Sequence, residues 1–122
     1  MIENAGREFA VPLDAPGQLA LVLRKQVGLT DNDIARATGA SQRSVRRWVA
    51  GGAVRAEHAD KLDDLRTIVA LLAASLPAPV IVNWLRGRNS VLTHQRPLDR
   101  LGEGHFDQVL AAVEALANGE YA

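Results

Sequence analysis

Arginines are concentrated in one short stretch of the chain, where their type and spacing suit the recognition of nucleic acid. Three arginines and a tryptophan fall within six residues, Arg43 to Trp48, and paired glycines follow. A guanidinium can donate two parallel hydrogen bonds to O6 and N7 of guanine, or it can clamp a phosphate. Glutamine can form a similar pair with adenine or donate to the sugar-phosphate backbone. The candidate DNA-binding residues are Ser41, Gln42, Arg43, Arg46 and Arg47.

The distribution of charge supports this interpretation, although the chain as a whole is neutral. It has 14 basic and 14 acidic residues among 122, a formal net charge of zero. The region from residue 36 to residue 55 contains arginines and no acidic residue, whereas acidic residues outnumber basic ones from residue 60 onward. A local basic run is the electrostatic pattern of a nucleic-acid contact. Arginines also solvate exposed faces of small helices that bind nothing, and the sequence leaves that alternative open.

The arginines lie in the second of two short predicted helices. Thr30 can cap the first helix, Asp33 can complete a weak form of the capping box, and Gly39 can end the helix. Ser41 can cap the second helix, which stops at the paired glycines. A glycine between two such helices permits the positive φ of a tight turn. This spacing is typical of a helix-turn-helix, whose second helix enters the major groove.

Apolar residues on the same two helices predict the side that faces a core. Ile34, Val45 and Trp48 fall at positions that can fill the space beneath the pair. Ala35 is small enough to lie where the two helices cross. A tryptophan on the apolar side of a helix is more often a core residue than a platform for base stacking, so Trp48 is interpreted as core.

The remaining pattern predicts further helices and no strand, so the expected fold class is all-α. A first helix starts at Pro16 and stops at Gly28. After an irregular basic stretch over residues 54–59, a long helix runs through Leu62 and Leu76 and ends at Pro77. Shorter helices cover residues 79–85 and 106–117, with a turn-rich element at 96–104 between them. The predicted domains are a helix-turn-helix module over residues 1–58 and, joined to it by the long helix, a small helical domain over residues 59–122.

Several classes of function have no support in the sequence. The chain has no cysteine, and its three histidines are too far apart for a local metal motif. We find no nucleophile elbow and no phosphate-binding glycine loop, so no enzyme activity, metal or cofactor is predicted. Pro77 and Pro79 interrupt the most apolar stretch, which argues against a membrane span. The N-terminus lacks the pattern of a secretory signal, and a cytoplasmic protein is expected.

The second half of the chain contains an ordered set of short motifs that resembles a known family. The motif residues are Trp84, Leu85, Asn89, Leu92, Arg96, Pro97, Leu98, Asp99, Gly102, Gly104, Val109 and the terminal NGEYA. The set resembles the toxin-binding domain of the Xre/MbcA/ParS antitoxins, and with the upstream helices the likeness extends from about residue 19 to the last residue. Many members have a small residue, often glycine, where this chain has Thr93 and His94. We interpret Trp84 and Pro97 mainly as scaffold.

The resemblance implies an antitoxin of a type II toxin-antitoxin system. In that family the antitoxin holds a RES-domain toxin, an enzyme that consumes NAD, and often represses its own operon. It also implies operator DNA as a partner and a larger hetero-oligomer with the toxin. A homodimer is expected because one helix-turn-helix reads only a few base pairs. The candidate toxin-binding residues are Asn118, Gly119, Glu120, Tyr121 and Ala122.

Two alternatives remain open at the level of the sequence. Tyrosine favours interfaces because it is amphipathic and has few rotatable bonds, but the same tail is also compatible with a frayed end. The chain is also compatible with a stand-alone transcription regulator whose second half dimerises or senses a ligand.

Overall fold

The computed structural model describes residues 16–119, and α-helices account for most of this part of the chain. Its seven α-helices are α1 (Pro16–Val22), α2 (Asp31–Thr38), α3 (Gln42–Val49), α4 (Ala56–Ala73), α5 (Ala78–Arg86), α6 (Pro97–Gly102) and α7 (Phe106–Ala117). A π-helical turn, Leu23–Val27, continues α1, and a 3-10 turn, Ser90–Leu92, precedes α6. The only extended pairing in the described residues is one isolated bridge between Asn89 and Gln95. The predicted all-α fold class is confirmed, and none of the described helices is long and apolar enough to cross a membrane.

The ends of α2 and α3 follow the local signals in the sequence. The hydroxyl of Thr30 accepts a hydrogen bond from the amide of Asp33 at 3.1 Å, and the Asp33 carboxylate accepts one from the amide of Thr30 at 2.9 Å. This reciprocal pair is a full capping box. Gly39 ends α2 in the left-handed region with a φ of 73°. The hydroxyl of Ser41 caps α3 by accepting from the amide of Ser44 at 3.0 Å.

Two helices differ from the sequence prediction. The long helix α4 starts at Ala56, within the stretch expected to be irregular, and stops at Ala73 rather than reaching Leu76. Pro77 restricts the backbone of Leu76 alone, and the chain passes from α4 to that residue through a turn in which the amide of Leu76 still donates to the carbonyl oxygen of Leu72 at 2.9 Å. The element expected to be turn-rich forms a short helix that begins at Pro97, whose fixed φ suits the first helical position.

A single buried core connects the helices of both predicted domains. Its largest fully buried side chains are Trp48, Leu23, Ile34, Leu62, Leu65, Ile68, Leu72, Ile81, Leu85, Leu98, Leu101 and Val45. The predicted core positions of α2 and α3 are confirmed, since Ile34, Val45 and Trp48 are at most 1% exposed. Helix α2 packs against α3, α4 and α6, so the predicted boundary at residues 58 and 59 passes through this core. The division into domains over residues 1–58 and 59–122 stays a prediction.

Candidate functional site

The five candidate DNA-binding residues lie on the exposed side of α3, four within the helix and Ser41 as its N-cap. Ser41, Gln42, Arg43, Arg46 and Arg47 are each exposed. The opposite side of α3 packs into the core through its buried apolar residues. Ser41, Gln42 and Arg43 lie at the N-terminal end of α3, the part of a recognition helix that contacts base edges in helix-turn-helix proteins. Arg46 and Arg47 lie in the last turn of this eight-residue helix, so the expectation that all five residues cluster near its N-terminal half is wrong for these two arginines.

The three arginines of this surface have different surroundings. Arg47 donates from Nη1 to the carbonyl oxygen of Ala53 at 2.9 Å, and this bond holds the loop that follows α3. Within residues 16–119, no hydrogen bond or ion pair engages the side chains of Arg43 or Arg46. Arg43 and Arg46 therefore present guanidiniums that are available to a ligand, whereas Arg47 also has a structural role.

The start of α3 is fixed to the start of α2 by a side-chain hydrogen bond. Gln42 donates from Nε2 to Oδ1 of Asn32 at 3.3 Å. The Ser41 hydroxyl is committed to capping α3 and lies 3.1 Å from the hydroxyl of Ser44. Asn32 is exposed and sits at the second position of α2, and nothing in its local sequence signals this contact. The contact places two amide side chains beside the exposed arginines.

A bidentate ion pair joins α2 to α5. Arg86 donates from Nε and Nη2 to the two carboxylate oxygens of Asp33, at 2.9 and 2.6 Å. Burial raises the pKa of Asp33, but hydrogen bonds from Arg86 and Thr30 outweigh burial and hold this pKa below its ordinary value. The same bond raises the pKa of Arg86. The carboxylate that caps α2 is thus also the attachment point of α5, a role that its capping position does not reveal.

Helix α6 packs against the C-terminal end of α2 at very short range. A Cβ atom on Gly102 would overlap the backbone carbonyl oxygen of Arg36, so only glycine fits there. Lys61 donates to the carbonyl oxygen of Gly102 at 2.8 Å, and Arg36 donates to Asp99 at the same distance. The motif glycine therefore has a packing function between the two predicted domains.

The other motif residues that precede α6 form a compact corner. Asn89 is 3% exposed, and its side-chain oxygen accepts from the amide of Val91 at 2.9 Å. Pro97 is buried and Trp84 is partly buried. Thr93 and His94 both have positive φ, 57° and 64°. Left-handed backbone favours glycine, which explains why a small residue would suit this turn.

The candidate toxin-binding tail lies only partly within the described residues. Asn118 and Gly119 are exposed beyond the end of α7, and Gly119 has a φ of 72°. Glu120, Tyr121 and Ala122 lie outside the described residues. The assignment of this segment to toxin binding stays a prediction. Within residues 16–119, no group of three or more histidine, aspartate or glutamate side chains could hold a metal ion.

Comparisons with known proteins identify relatives over almost the whole chain, although no protein-family model matches it. The probable mycobacterial cidal antitoxin Rv3188 of Mycobacterium tuberculosis is 37% identical over 115 residues, which cover 93% of this chain and 99% of that protein. The mycobacterial cidal antitoxin MbcA of Mycobacterium bovis is 33% identical over 98 residues, 80% of this chain and 87% of MbcA.

A solved structure supports the same relationship. A chain from the crystal structure of the M. tuberculosis MbcT-MbcA toxin-antitoxin complex matches with a TM-score of 0.72 and 30% identity. The match covers 92% of this chain and all of that one. The sequence identities of 37% with Rv3188 and 33% with MbcA, over most of each compared chain, agree with this likeness of fold. The protein described here therefore belongs to the family of mycobacterial cidal antitoxins that includes MbcA.

Proposed function

We propose that this protein binds and neutralises a cognate toxin, and that the toxin is a RES-domain enzyme that consumes NAD. The observation that supports toxin binding is the match, over 92% of the chain, to a chain of a solved toxin-antitoxin complex. The RES-domain type of the toxin rests on the family resemblance of the motifs in the second half of the chain. On this proposal the protein acts in the cytoplasm by binding, with no catalysis of its own. NAD is then a substrate of the toxin and not a cofactor of this chain.

We place the blocking contact in the tail, residues 118–122. Helix α7 ends at Ala117, and Asn118 and Gly119 are exposed, so the segment that follows can be removed without loss of a described core residue. A tyrosine in that segment, Tyr121, can fill an apolar cleft and still donate a hydrogen bond. Entry of the tail into the NAD cleft of the toxin would exclude NAD sterically, and Glu120 would compete for the charged contacts that NAD makes there.

The test compares NAD turnover by the toxin with full-length antitoxin, with the protein lacking residues 118–122, and with Tyr121→Ala. Truncation should weaken inhibition strongly, and the point variant should do so in part, because aromatic anchors carry much of the energy of an interface. Glu114→Gln, an exposed change on the last turns of α7, is the matched control. All variants should melt like the full-length protein. Full inhibition by the truncated protein would move the toxin contact to the surface around residues 84–101 and α7.

We further propose that α2 and α3 form a helix-turn-helix that binds the operator of the protein's own operon. The supporting observation is the exposed side of α3, where Arg43 and Arg46 have no partner within the described residues. We assign contacts with base edges or phosphates of the DNA to these two arginines. We assign a contact with the sugar-phosphate backbone of the DNA to Arg47. One such motif reads few base pairs, so we expect a homodimer on half-sites one helical turn apart, about 34 Å, within a larger complex with toxin.

Promoter binding at a fixed salt concentration tests the DNA assignment. Replacing a base-reading arginine by alanine costs about 1 to 3 kcal/mol, which corresponds to a roughly 5- to 150-fold rise in Kd. Arg43→Ala and Arg46→Ala should fall in that range, while Arg66→Ala on α4 should bind as wild type. Unchanged binding by the Arg43→Ala/Arg46→Ala double variant would contradict the assignment.

Co-expression separates an antitoxin from a stand-alone regulator. The neighbouring gene product should arrest growth when it is produced alone, and this protein should relieve the arrest. Arg43→Ala/Arg46→Ala should still relieve it, because the proposed toxin contact lies elsewhere. Failure of the wild-type protein to relieve the arrest would favour a regulator whose second half serves dimerisation or ligand sensing.

A further inference from the structure

Three arginines from different elements converge on one open cleft between α2, α5 and α6. The cleft has a volume of about 340 Å³. The residues that line it are Thr30, Asn32, Asp33, Arg36, Arg86, Arg96 and Leu98. Two of the three arginines, Arg86 and Arg96, belong to the half of the chain that resembles a toxin-binding domain. Nothing in the proposed functions uses this cluster.

The carboxylates of the cluster lie beneath its guanidiniums. The side chains of Arg86, Arg36 and Arg96 are 45, 43 and 36% exposed, whereas those of Asp33 and Asp99 are 5 and 29% exposed. Three positive charges therefore face two negative ones, and the positive charges are nearer to solvent. The acids hold the arginines in place without covering them.

Several guanidinium donors of the cleft remain available to a ligand. Arg86 uses Nε and Nη2 in its pair with Asp33, and within the described residues its Nη1 makes no hydrogen bond. Arg96 approaches Asp99 only to 3.8 Å, which is longer than a hydrogen bond. Arginines that are held in place but retain free N–H groups suit the binding of a phosphate oxygen.

The cleft is continuous with the start of α3. Asn32 lines the cleft and also accepts the hydrogen bond from Gln42, the first residue of α3. The N-terminal part of a recognition helix enters the major groove, while the first helix of the motif crosses the sugar-phosphate backbone. A duplex read by α3 would therefore carry a phosphate strand past the N-terminal end of α2, where the cleft opens.

We propose that this cleft binds a backbone phosphate of the operator beside the groove that α3 enters, so that Arg86 and Arg96 contribute to DNA affinity. The inference rests on the proposed operator binding. It extends the DNA interface into the half of the chain that the motifs assign to the toxin. Such a contact fixes the position of the protein on the duplex and carries no sequence preference.

The salt dependence of binding tests this contact directly. Each neutralised phosphate contributes about 0.9 to the slope of log K against log salt concentration. Arg96→Gln should therefore reduce the magnitude of the slope by about 1. The loss of DNA affinity relative to wild type should then shrink roughly 3- to 4-fold between 50 and 200 mM salt. The change should be the same on the promoter duplex and on an unrelated duplex of equal length. Arg96→Lys should keep the wild-type slope, since an ammonium also neutralises a phosphate.

Arg100 provides the matched control. It lies on α6, whose N-cap is Arg96, pairs with Glu103 at 2.9 Å in the same i, i+3 arrangement as Arg96 and Asp99, and does not line the cleft. Arg100→Gln should leave the slope unchanged. The double variant Asp33→Asn/Arg86→Gln removes the second guanidinium without leaving a buried carboxylate unpaired, and it should also lower the slope.

The possible outcomes separate this inference from the function on which it rests. No binding of the promoter duplex by the wild-type protein would overturn both. A wild-type slope in Arg96→Gln, with binding still lost in Arg43→Ala/Arg46→Ala, would overturn the cleft alone. If Arg96→Gln instead binds DNA as wild type and loses inhibition of the toxin, the cleft is part of the toxin interface and the inference is wrong.

Discussion

Replacement of Gly102 by alanine should destabilise the protein through one steric contact. The added Cβ atom would overlap the backbone carbonyl oxygen of Arg36, and it would lie 3.2 Å from the carbonyl carbon of the same residue. Neither obstacle is a side chain that can rotate away. Helix α6 would have to move off α2, which would weaken the hydrogen bond from Lys61 to the carbonyl of residue 102.

The sign of the effect distinguishes this reasoning from helix propensity. Gly102 lies within α6, where alanine is favoured over glycine by about 1 kcal/mol in the absence of contacts. Overpacking in a close-packed interior costs about 1 to 3 kcal/mol, and an obstacle made of backbone lies at the upper end of that range. We therefore expect a net loss of about 2 kcal/mol. For a chain of this length that loss lowers Tm by roughly 6 to 10 °C.

Gly104→Ala is the matched control two residues away. Gly104 has a φ of 88°, and its Cβ position faces open space, so only the cost of a left-handed alanine applies, about 1 kcal/mol. Urea and thermal unfolding of both variants measure the difference. Gly102→Ala with a Tm at or above that of the wild-type protein would show that α2 and α6 are not in close contact, and it would remove the packing explanation for this motif glycine.

Three further tests, with four variants in all, address electrostatics and backbone strain. The pKa of Asp33 is held below its unfolded value of about 3.9. The ion pair of Asp33 with Arg86 therefore stabilises the fold fully above about pH 3.9, and this stabilisation is lost as the pH falls through the folded pKa of Asp33. Arg86→Met should thus lower Tm at pH 7 more than Asp33→Asn, since it leaves a buried carboxylate unpaired, and the gap should close in acid. Burial, and to a smaller extent repulsion by neighbouring carboxylates, raises the pKa of Asp64. Asp64→Asn should therefore raise Tm at pH 7, and this gain in Tm should vanish as the pH falls below about 4. An unchanged Tm at pH 7 would contradict the raised pKa. Thr93→Gly should raise stability by up to about 1 kcal/mol in urea unfolding because it relieves a left-handed β-branched residue, and a loss would refute the strain.

The features that could be predicted from the sequence are those decided within a few residues. The capping box of Thr30 and Asp33, the positive φ of Gly39 and the Ser41 cap each depend on neighbours at most three positions away. Their geometry is fixed by the helical backbone itself. The exposed face of α3 follows in turn from the apolar spacing of Val45 and Trp48.

The features that could not be predicted depend on how distant helices meet. Asp33 and Arg86 are far apart in sequence, and Asp33 already had a sufficient local role as a capping residue. Gly102 was recognisable only as a motif position, since the reason for a glycine lies on another helix, in the carbonyl of Arg36. The early start of α4 is of the same kind, because packing can make a helix from a segment with weak local signals.

The two proposed functions meet at α2. On one side this helix supports α3, which carries the exposed arginines, and on the other it packs against α6 and pairs with α5. The charge break near residue 60 separates the candidate surfaces along the sequence, but no such break exists in the core. Variants can therefore separate DNA binding from toxin binding only if they change exposed side chains such as Arg43 or Tyr121. A change in the packing of α2, such as Gly102→Ala, should affect both functions together.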